Sequence, residues 1–422
     1  MAPGSEQVPR VAFVTLGCKV NQTESEAIAA GFGHRGAGCA PADADVVVVN
    51  TCTVTGEADH KARKAVRHAL ALPRSPIVIV TGCLAALDAD GLRSLGEQVV
   101  VEADKERVGA RVVEALDALG EAVSEATVPT EARPARARAQ LKVEDGCDAF
   151  CAYCIVPYAR GVPRAVPAER VVAEAERLAA TGVSEIVLTG INIGRYDDDG
   201  GLPGLLARVA ATGVARIRIS SIEPGDLTPQ LLEAASATPA FCAHLHVPLQ
   251  SGSDAVLSRM GRPYDTARYT AAVEAARAAF PDIAISTDII VGFPGETDAE
   301  FAETLAFARA TGFSRLHVFR YSQRAGTRAA DMPDQVPPAV RAGRSAQLRT
   351  LGESLSLGYA EARVGHTVEV LVERVSDCIA EGTTREYMRA RVPSASAQPG
   401  RLLTARAERV DPGPMLITTR LP

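Results

Sequence analysis

The sequence of 422 residues has no apolar run that could cross a membrane as a helix; its longest, such as Val46–Val49, fall far short of the roughly 20 residues a span requires. Its opening residues, MAPGSEQVPR, lack the apolar stretch of a secretory leader, so a cytoplasmic protein with reduced thiols is expected. Positive charge is not in excess either. A formal net charge of −6 excludes holding nucleic acid by bulk electrostatics and leaves only local contacts. The one basic run, Glu131–Lys142, sets Arg133, Arg136, Arg138 and Lys142 against a single acid, a pattern more common in solvated linkers. Nine cysteines are an odd and dilute count, which argues against a disulfide framework.

Against these absences stands Cys147-x-x-x-Cys151-x-x-Cys154, just after the short apolar segment Leu141–Val143. Three thiolates are one fewer than the four ligands of a structural zinc site or of a closed four-iron cluster. The nearest histidines in sequence are His68 and His244, so zinc would need a ligand from afar. A four-iron cluster with one open iron needs no such ligand, and the open iron is a place for chemistry.

A chain of this length is expected to form two or three domains. In the first segment three strand-like runs each lead into a cysteine: Val11 to Cys18, Val46 to Cys52 and Ile77 to Cys83. Continuous Val/Ile runs suit strands buried on both faces of a parallel sheet, with crossover helices near Glu24–Ala30 and Glu57–Leu72. Parallel strands deliver their carboxyl ends to one edge, so Cys18, Cys52 and Cys83 should converge there and could hold a second cluster. Three small buried core cysteines are the alternative. Val99–Val101 should close the sheet, followed by a helix over Lys105–Leu119 and a linker over Glu121–Ala139.

The second segment alternates strand and helix signals, with strands at Leu141, Glu185, Arg216, His244, Ile283 and Arg315 and helices such as Ala168–Ala180 and Ala267–Ala279. Six β/α units suit a partial barrel, whose functional groups sit on the loops after the strands. Gly190, Glu223, Gln250 and Gly292 lie just past strand ends and are candidate cofactor contacts, with turn glycines and a structural Arg–Glu pair as the plainer alternatives. Arg160 and Arg164, after the cysteine loop, are candidates for pairing with a cofactor or substrate carboxylate, with a plain surface role as the equal alternative. Cys39, Cys242 and Cys378 lack companions and read as structural thiols. The third segment reads as a small β-barrel with strands at Thr367, Thr384–Val392 and Leu402–Val410. Its eight Arg against seven Asp or Glu, and its lone aromatic, Tyr387, do not announce RNA binding.

Together, the wordings Gly17-Cys-Lys-Val-Asn-Gln22, Asn50-Thr-Cys-Thr-Val-Thr55, Thr81-Gly-Cys83, Asp145 to Gly161, Pro248-Leu-Gln-Ser-Gly-Ser253 and Thr287 to Thr297 resemble the radical-SAM methylthiotransferases. The resemblance implies an α/β fold in three parts: an amino-terminal parallel-sheet domain (9–121), a radical-SAM partial (β/α)6 barrel (133–363) and a TRAM-like β-barrel (364–422), the last a divergent match. It implies two 4Fe-4S clusters and S-adenosylmethionine. Cys147, Cys151 and Cys154 would hold the cluster whose open iron binds one S-adenosylmethionine, the source of a 5′-deoxyadenosyl radical. Cys18, Cys52 and Cys83 would hold the auxiliary cluster that carries the sulfur, with the methyl group coming from a second S-adenosylmethionine. No catalytic residue is implied beyond these ligands.

The motif wording looks like the branch that acts on N6-threonylcarbamoyladenosine beside the tRNA anticodon, whose carboxylate would call for a pocket Arg or Lys. The isopentenyladenosine and ribosomal-aspartate branches, and a non-enzymatic iron-sulfur or zinc RNA binder, are the alternatives. The implied partners are a tRNA anticodon stem-loop and a small reductant protein such as flavodoxin or ferredoxin, with no membrane and a monomeric chain.

Overall fold

The computed structural model describes residues 10–31, 37–119, 137–394 and 396–420. Most of the expected linker, with Arg133 and Arg136, lies outside them. The chain divides into two compact units, the first holding the described residues of Met1–Arg133 with Cys154–Val162 and Ser322–Arg324, the second holding the remainder.

In the first unit the elements run β1 (Arg10–Thr15), α1 (Lys19–Gly31), β2 (Ala37–Gly38), β3 (Val46–Thr51), α2 (Gly56–Leu70), β4 (Ile77–Gly82), α3 (Cys83–Leu87), α4 (Ala89–Arg93), β5 (Val99–Val101) and α5 (Val108–Ala118). A later helix, α6 (Val156–Arg160), belongs to the same unit. The strands form one parallel sheet in the order β2-β1-β3-β4-β5. The two-residue β2 was not expected; nothing in its composition marks it. Val46 to Val49 are fully buried, and alternate members pack into separate cores on the sheet's two faces. Each such valine contributes roughly 1.5–3 kcal/mol relative to exposure, which is why a run without polar alternation settles in a central strand. Thr55 starts α2 by accepting the Ala58 N–H.

The second unit begins with β6 (Arg138–Lys142) and β7 (Glu144–Asp145). It continues through β8 (Arg164–Ala165), α7 (Ala168–Ala180), β9 (Glu185–Thr189), α8 (Gly201–Ala211), β10 (Arg216–Ile219), α9 (Pro229–Ser236), β11 (His244–His246), α10 (Asp254–Met260), α11 (Thr266–Ala279), β12 (Ala284–Val291), α12 (Asp298–Thr311), β13 (Arg315–Arg320) and α13 (Pro338–Glu361). Strands β6, β9 and β10 form one parallel sheet and β11, β12 and β13 another. Single parallel bridges, Ile217 to Phe241 and Ser221 to His246, stitch the two together. The result is the expected array of six parallel strands. Among the described residues β6 and β13 do not pair, so the array stays open.

The third expected strand pattern needed correction. The carboxyl-terminal barrel has five strands, β14 (Thr367–Ser376), β15 (Ile379–Thr384), β16 (Arg389–Pro393), β17 (Leu402–Asp411) and β18 (Met415–Arg420), closed in the order β14-β15-β16-β18-β17. The strand expected over Thr384–Val392 is broken by a turn in which Tyr387 adopts a φ of 67°. That turn is spent on docking. Arg216 donates to the carbonyls of Thr383 and Thr384, Arg218 to those of Thr384 and Arg385, and Arg385 reaches back to the carbonyl of Phe241. Tyr387 lies under the Arg218 guanidinium, 4.6 Å from it, and 4.8 Å from the His244 ring, so it is committed to packing rather than presented to a base.

Glu185 anchors this junction. Its carboxylate, with no exposure, meets the guanidiniums of Arg138, Arg216 and Arg218. Burial alone would raise its pKa, but the three cations outweigh that and hold it down to about 2. The stability it contributes is therefore present above its ordinary value of 4.5 and is lost as pH falls toward 2. Glu185→Gln should cost about 3–5 kcal/mol at pH 7, read as a lowered urea midpoint, because it strands buried guanidiniums without a counter-charge.

Candidate metal-sulfur and cofactor sites

In the first unit the register sets the site. Thr15 pairs with Asn50 and Thr51 with Gly82, so Cys52 and Cys83 each follow the last paired residue of adjacent strands, and Cys18 follows β1 one strand over. The three thiols share one edge, as the strand directions required. Cys52 and Cys83 are buried and Cys18 is exposed. A Cβ on Gly17 would lie 2.7 Å from the Cys52 Cβ, and one on Gly82 2.3 Å from the Thr51 carbonyl, so both glycines, with φ of 105° and 92°, are required by the approach of the strand ends.

Beneath the thiols lies a polar network that the motif wording hinted at without explaining. Asn21 donates to the carbonyls of Leu16 and Thr51, Asn50 donates to the Asn21 carbonyl, and the Cys18 thiol donates to Asn21 Oδ1 at 3.5 Å. Burial pushes the Cys52 and Cys83 thiols up. The N–H of Val54 pulls the first back, and Arg160 and Lys105 pull back the second. Arg160 does not serve the carboxylate role expected of it. Its side chain is buried and fully engaged by Cys83, Glu24 and Asn21. Arg164 sits exposed on β8.

An all-sulfur donor set on rigid strand ends, with cations nearby to offset thiolate charge, fits an iron-sulfur cluster. Among the described residues, no three His, Cys, Asp or Glu side chains are gathered tightly enough to grip a single metal ion. A four-iron cube asks for something else, thiolates that stand apart around a common space.

In the second unit, β7 and β8 form a short antiparallel hairpin that closes the base of the loop carrying Cys147 and Cys151. Cys154, half-buried, belongs to the first unit. Cys147 is half-buried and Cys151 buried; burial pushes the Cys147 thiol up. Arg262 donates to the Cys151 sulfur at 2.9 Å, to Tyr264 Oη at 3.0 Å, and pairs with Glu223. Glu223 is thus an ion-pair partner as well as a strand-end carboxylate. Arg262 carried no signal in the sequence, since it follows a helix C-cap glycine in what reads as a turn. A cavity of about 490 Å³ opens here, lined by Asn192, Arg195, Glu223, Asp226, Arg262 and Tyr264 among others.

Of the remaining strand-end candidates, Gly190 is sterically confined, and Gln250 and Gly292 adopt positive φ. Gly190 faces Glu144, whose Oε2 would be 2.8 Å from an added Cβ, and Glu144 accepts the N–H groups of Ile191 and Asn192. Gln250 is buried with a φ of 68°, its backbone bonded to Asp288 and Ile290. Gly292, at a φ of 71°, donates to Glu296, which Arg344 neutralises. An added Cβ there would lie 2.1 Å from Arg341. Of the lone thiols, Cys242 is buried beside Glu185, whereas Cys378 is exposed in the turn after β14 and is no core thiol. Cys39 is half-buried at the sheet's edge.

Residues 10–102 match the model of Uncharacterized protein family UPF0004, and residues 141–308 match that of the Radical SAM superfamily. The Bacillus subtilis (strain 168) protein named threonylcarbamoyladenosine tRNA methylthiotransferase MtaB is 38% identical over 384 residues, covering 86% of this chain and 84% of that one. The chain belongs to the radical-SAM tRNA methylthiotransferases. As a member of this transferase family it uses S-adenosylmethionine and 4Fe-4S chemistry. The tRNA-2-methylthio-N(6)-dimethylallyladenosine synthase of Parafrankia sp. (strain EAN1pec) is also 38% identical, over 412 residues, 92% of this chain and 81% of that one. Among solved structures, the radical S-adenosylmethionine methyltransferase TsrM from Kitasatospora setae aligns with a TM-score of 0.53 at 15% identity over 76% of this chain and 77% of its own, a likeness of fold. No helix among the described residues is long and apolar enough to cross a membrane.

The methylthiotransferase's Glu144 generates a pH-dependent expectation. Its Oε1 has no hydrogen-bond partner among the described residues, and burial drives its pKa up to about 7 against the pull of the Asn192 and Ile191 N–H groups. A carboxyl raised in this way favours the fold below its ordinary value of 4.5, and that advantage is lost as pH rises through 7. Glu144→Gln keeps an acceptor for both N–H groups and cannot ionise. Unfolding free energies from denaturant titration should match the parent near pH 4.5 and exceed it by about 2–3 kcal/mol above pH 8.

Proposed function

We propose that this chain converts N6-threonylcarbamoyladenosine next to the tRNA anticodon to its 2-methylthio derivative, consuming two S-adenosylmethionine molecules and using two 4Fe-4S clusters. The observation that carries the two-centre reading is the meeting of Cys18, Cys52 and Cys83 at one edge of a parallel sheet, apart in sequence from the Cys147, Cys151 and Cys154 loop. The choice of base is supported by the wording of the cysteine motifs and by the name of the Bacillus subtilis relative. The same identity to a dimethylallyladenosine synthase makes the isopentenyl base the second reading.

In this reading the segments 9–121, 133–363 and 364–422 act as the sulfur-carrying, radical-generating and TRAM-like parts. When bound, the cluster of the Cys147 loop and S-adenosylmethionine supply hydrogen-atom abstraction from an unactivated adenine carbon, which no side-chain base could deprotonate usefully at neutral pH. The chain's own residues then do the positioning. Gly190 and Gly292 make room for the Glu144 and Arg341 side chains that shape the strand-end loops, Gln250 and Glu223 present polar groups from strand ends, and Arg262 fixes Cys151. The substrate is presented as an unstacked base of an anticodon stem-loop, and the electron comes from a small flavodoxin- or ferredoxin-like protein of the cytoplasm.

Of the arginines lining the cavity, Arg262 is committed to Glu223 and Arg268 to the Pro263 carbonyl, while Arg195 is exposed and faces Glu223 and Asp226 only at longer range. Arg195 is our choice for the cation that reads the threonylcarbamoyl carboxylate.

Three experiments test the reading. Anaerobically prepared protein should hold roughly eight irons per chain, and Cys→Ala at all three positions of either triad should leave roughly four; stoichiometric zinc, or a single centre in the parent protein, would sink it. Mass spectrometry of tRNA nucleosides from a deletion strain should show the 2-methylthio threonylcarbamoyl nucleoside missing. Disappearance of the isopentenyl one instead hands the function to the second reading. Arg195→Ala should lower kcat/KM for the carboxylate-bearing base by about tenfold or more and leave an isopentenyl-bearing stem-loop unaffected.

A further inference from the structure

Within the first unit, the Arg160 guanidinium is enclosed on every side. Its Nε lies 3.2 Å from the Cys83 sulfur, Nη1 2.9 Å from Glu24 Oε1 and Nη2 2.8 Å from Asn21 Oδ1. Its side chain is 2% exposed and that of Glu24 4%, and Lys105 meets Glu24 at the same Oε1. Asn21 Oδ1 also accepts from Cys18, so one guanidinium touches one cysteine directly and a second through a single shared oxygen.

A buried arginine is costly to place, and one glutamate would have balanced it. Here Arg160 and Lys105 both meet Glu24, and the guanidinium still turns its cationic Nε toward the sulfur edge. Neutral thiols have no use for that charge. Anionic thiolates around a metal-sulfide group do, because hydrogen bonds to sulfur and local net charge are what set such a group's potential.

We infer that Arg160 is a positioning residue of the Cys18, Cys52 and Cys83 site, which through its contact with Cys83 and its balance against Glu24 sets the reduction potential of the cluster held there. This rests on the two-cluster reading above. The conventional role, pinning α6 to α3, accounts for burial but not for a guanidinium whose Nε is turned onto a cysteine sulfur.

The test is a potentiometric titration of anaerobically reconstituted holoenzyme followed by electron paramagnetic resonance, the amino-terminal signal being the one that survives in the C147A/C151A/C154A variant. Arg160→Gln removes a cation and should move that signal to a more negative potential. Glu24→Gln uncovers the cation and should move it to a more positive one, and R160Q/E24Q should return toward the parent. The signal lost in C147A/C151A/C154A should not shift in any of them. Unmoved potentials, or shifts of the same sign in R160Q and E24Q, overturn the inference. If R160Q fails to keep its iron, E24Q decides alone by the sign of its shift. A parent protein with only one cluster is a different result, since it defeats the two-cluster reading itself.

Discussion

A guanidinium taken out of water must find a carboxylate, and in this protein that demand recurs wherever the chain has to be held at chemically important places. Arg160 finds Glu24 beneath the amino-terminal thiols, and Arg262 finds Glu223 beside Cys151. Arg216 and Arg218 find Glu185 where the six-stranded array meets the small barrel, and Arg344 finds Glu296 behind Gly292. Such pairs add little net stability, because desolvation consumes most of the attraction, but they penalise any arrangement that leaves a member alone. Their contribution is to permit one geometry and punish the rest.

That selectivity matters most at strand ends. The apolar runs fix the sheets, and hydrophobic burial is indifferent to a small rotation of a loop beyond the last ladder bond. Cys18, Cys52, Gly190 and Gly292 all lie in such loops. What holds them are polar contacts with direction: Asn21 of α1 with Asn50 of β3, Glu144 under Ile191 and Asn192, Glu296 on the Gly292 N–H. A site of this kind is pre-shaped for its guests, which reduces what binding must spend on ordering.

Much of this could be read before any coordinates. Val46–Val49 and Ile77–Val80 announce buried parallel strands by their unbroken branched character, and helix α7 falls over Ala168–Ala180 because its apolar spacing and helix-forming composition agree. The cysteines were legible for a related reason, since each follows a strand and strands of one direction share an edge. What stayed hidden depends on partners distant in sequence. Arg160 and Arg262 look like surface residues until Glu24 and Glu223 are seen beside them, and their burial is decided more than 30 residues away. The stretch 384–392 looks like one strand because nothing local forbids it, and it breaks because Arg385 and Tyr387 have business with Phe241, His244 and Arg218. Glu223 was placed at a strand end correctly, with its arginine left unnamed.

The first unit is visited by the chain three times, through its own sheet, through Cys154–Val162 and through Ser322–Arg324. The last visit ties Arg324 to Asp59 and Thr53, next to Cys52, and Ser322 to the Gly56 N–H. On a ribosome, domains form in the order they emerge. The amino-terminal sheet can therefore assemble early, yet its cysteine edge stays unfinished until some 320 residues have been made. The threading of the chain thus makes the finished cysteine edge a late product of synthesis, completed only when residues 322–324 join it.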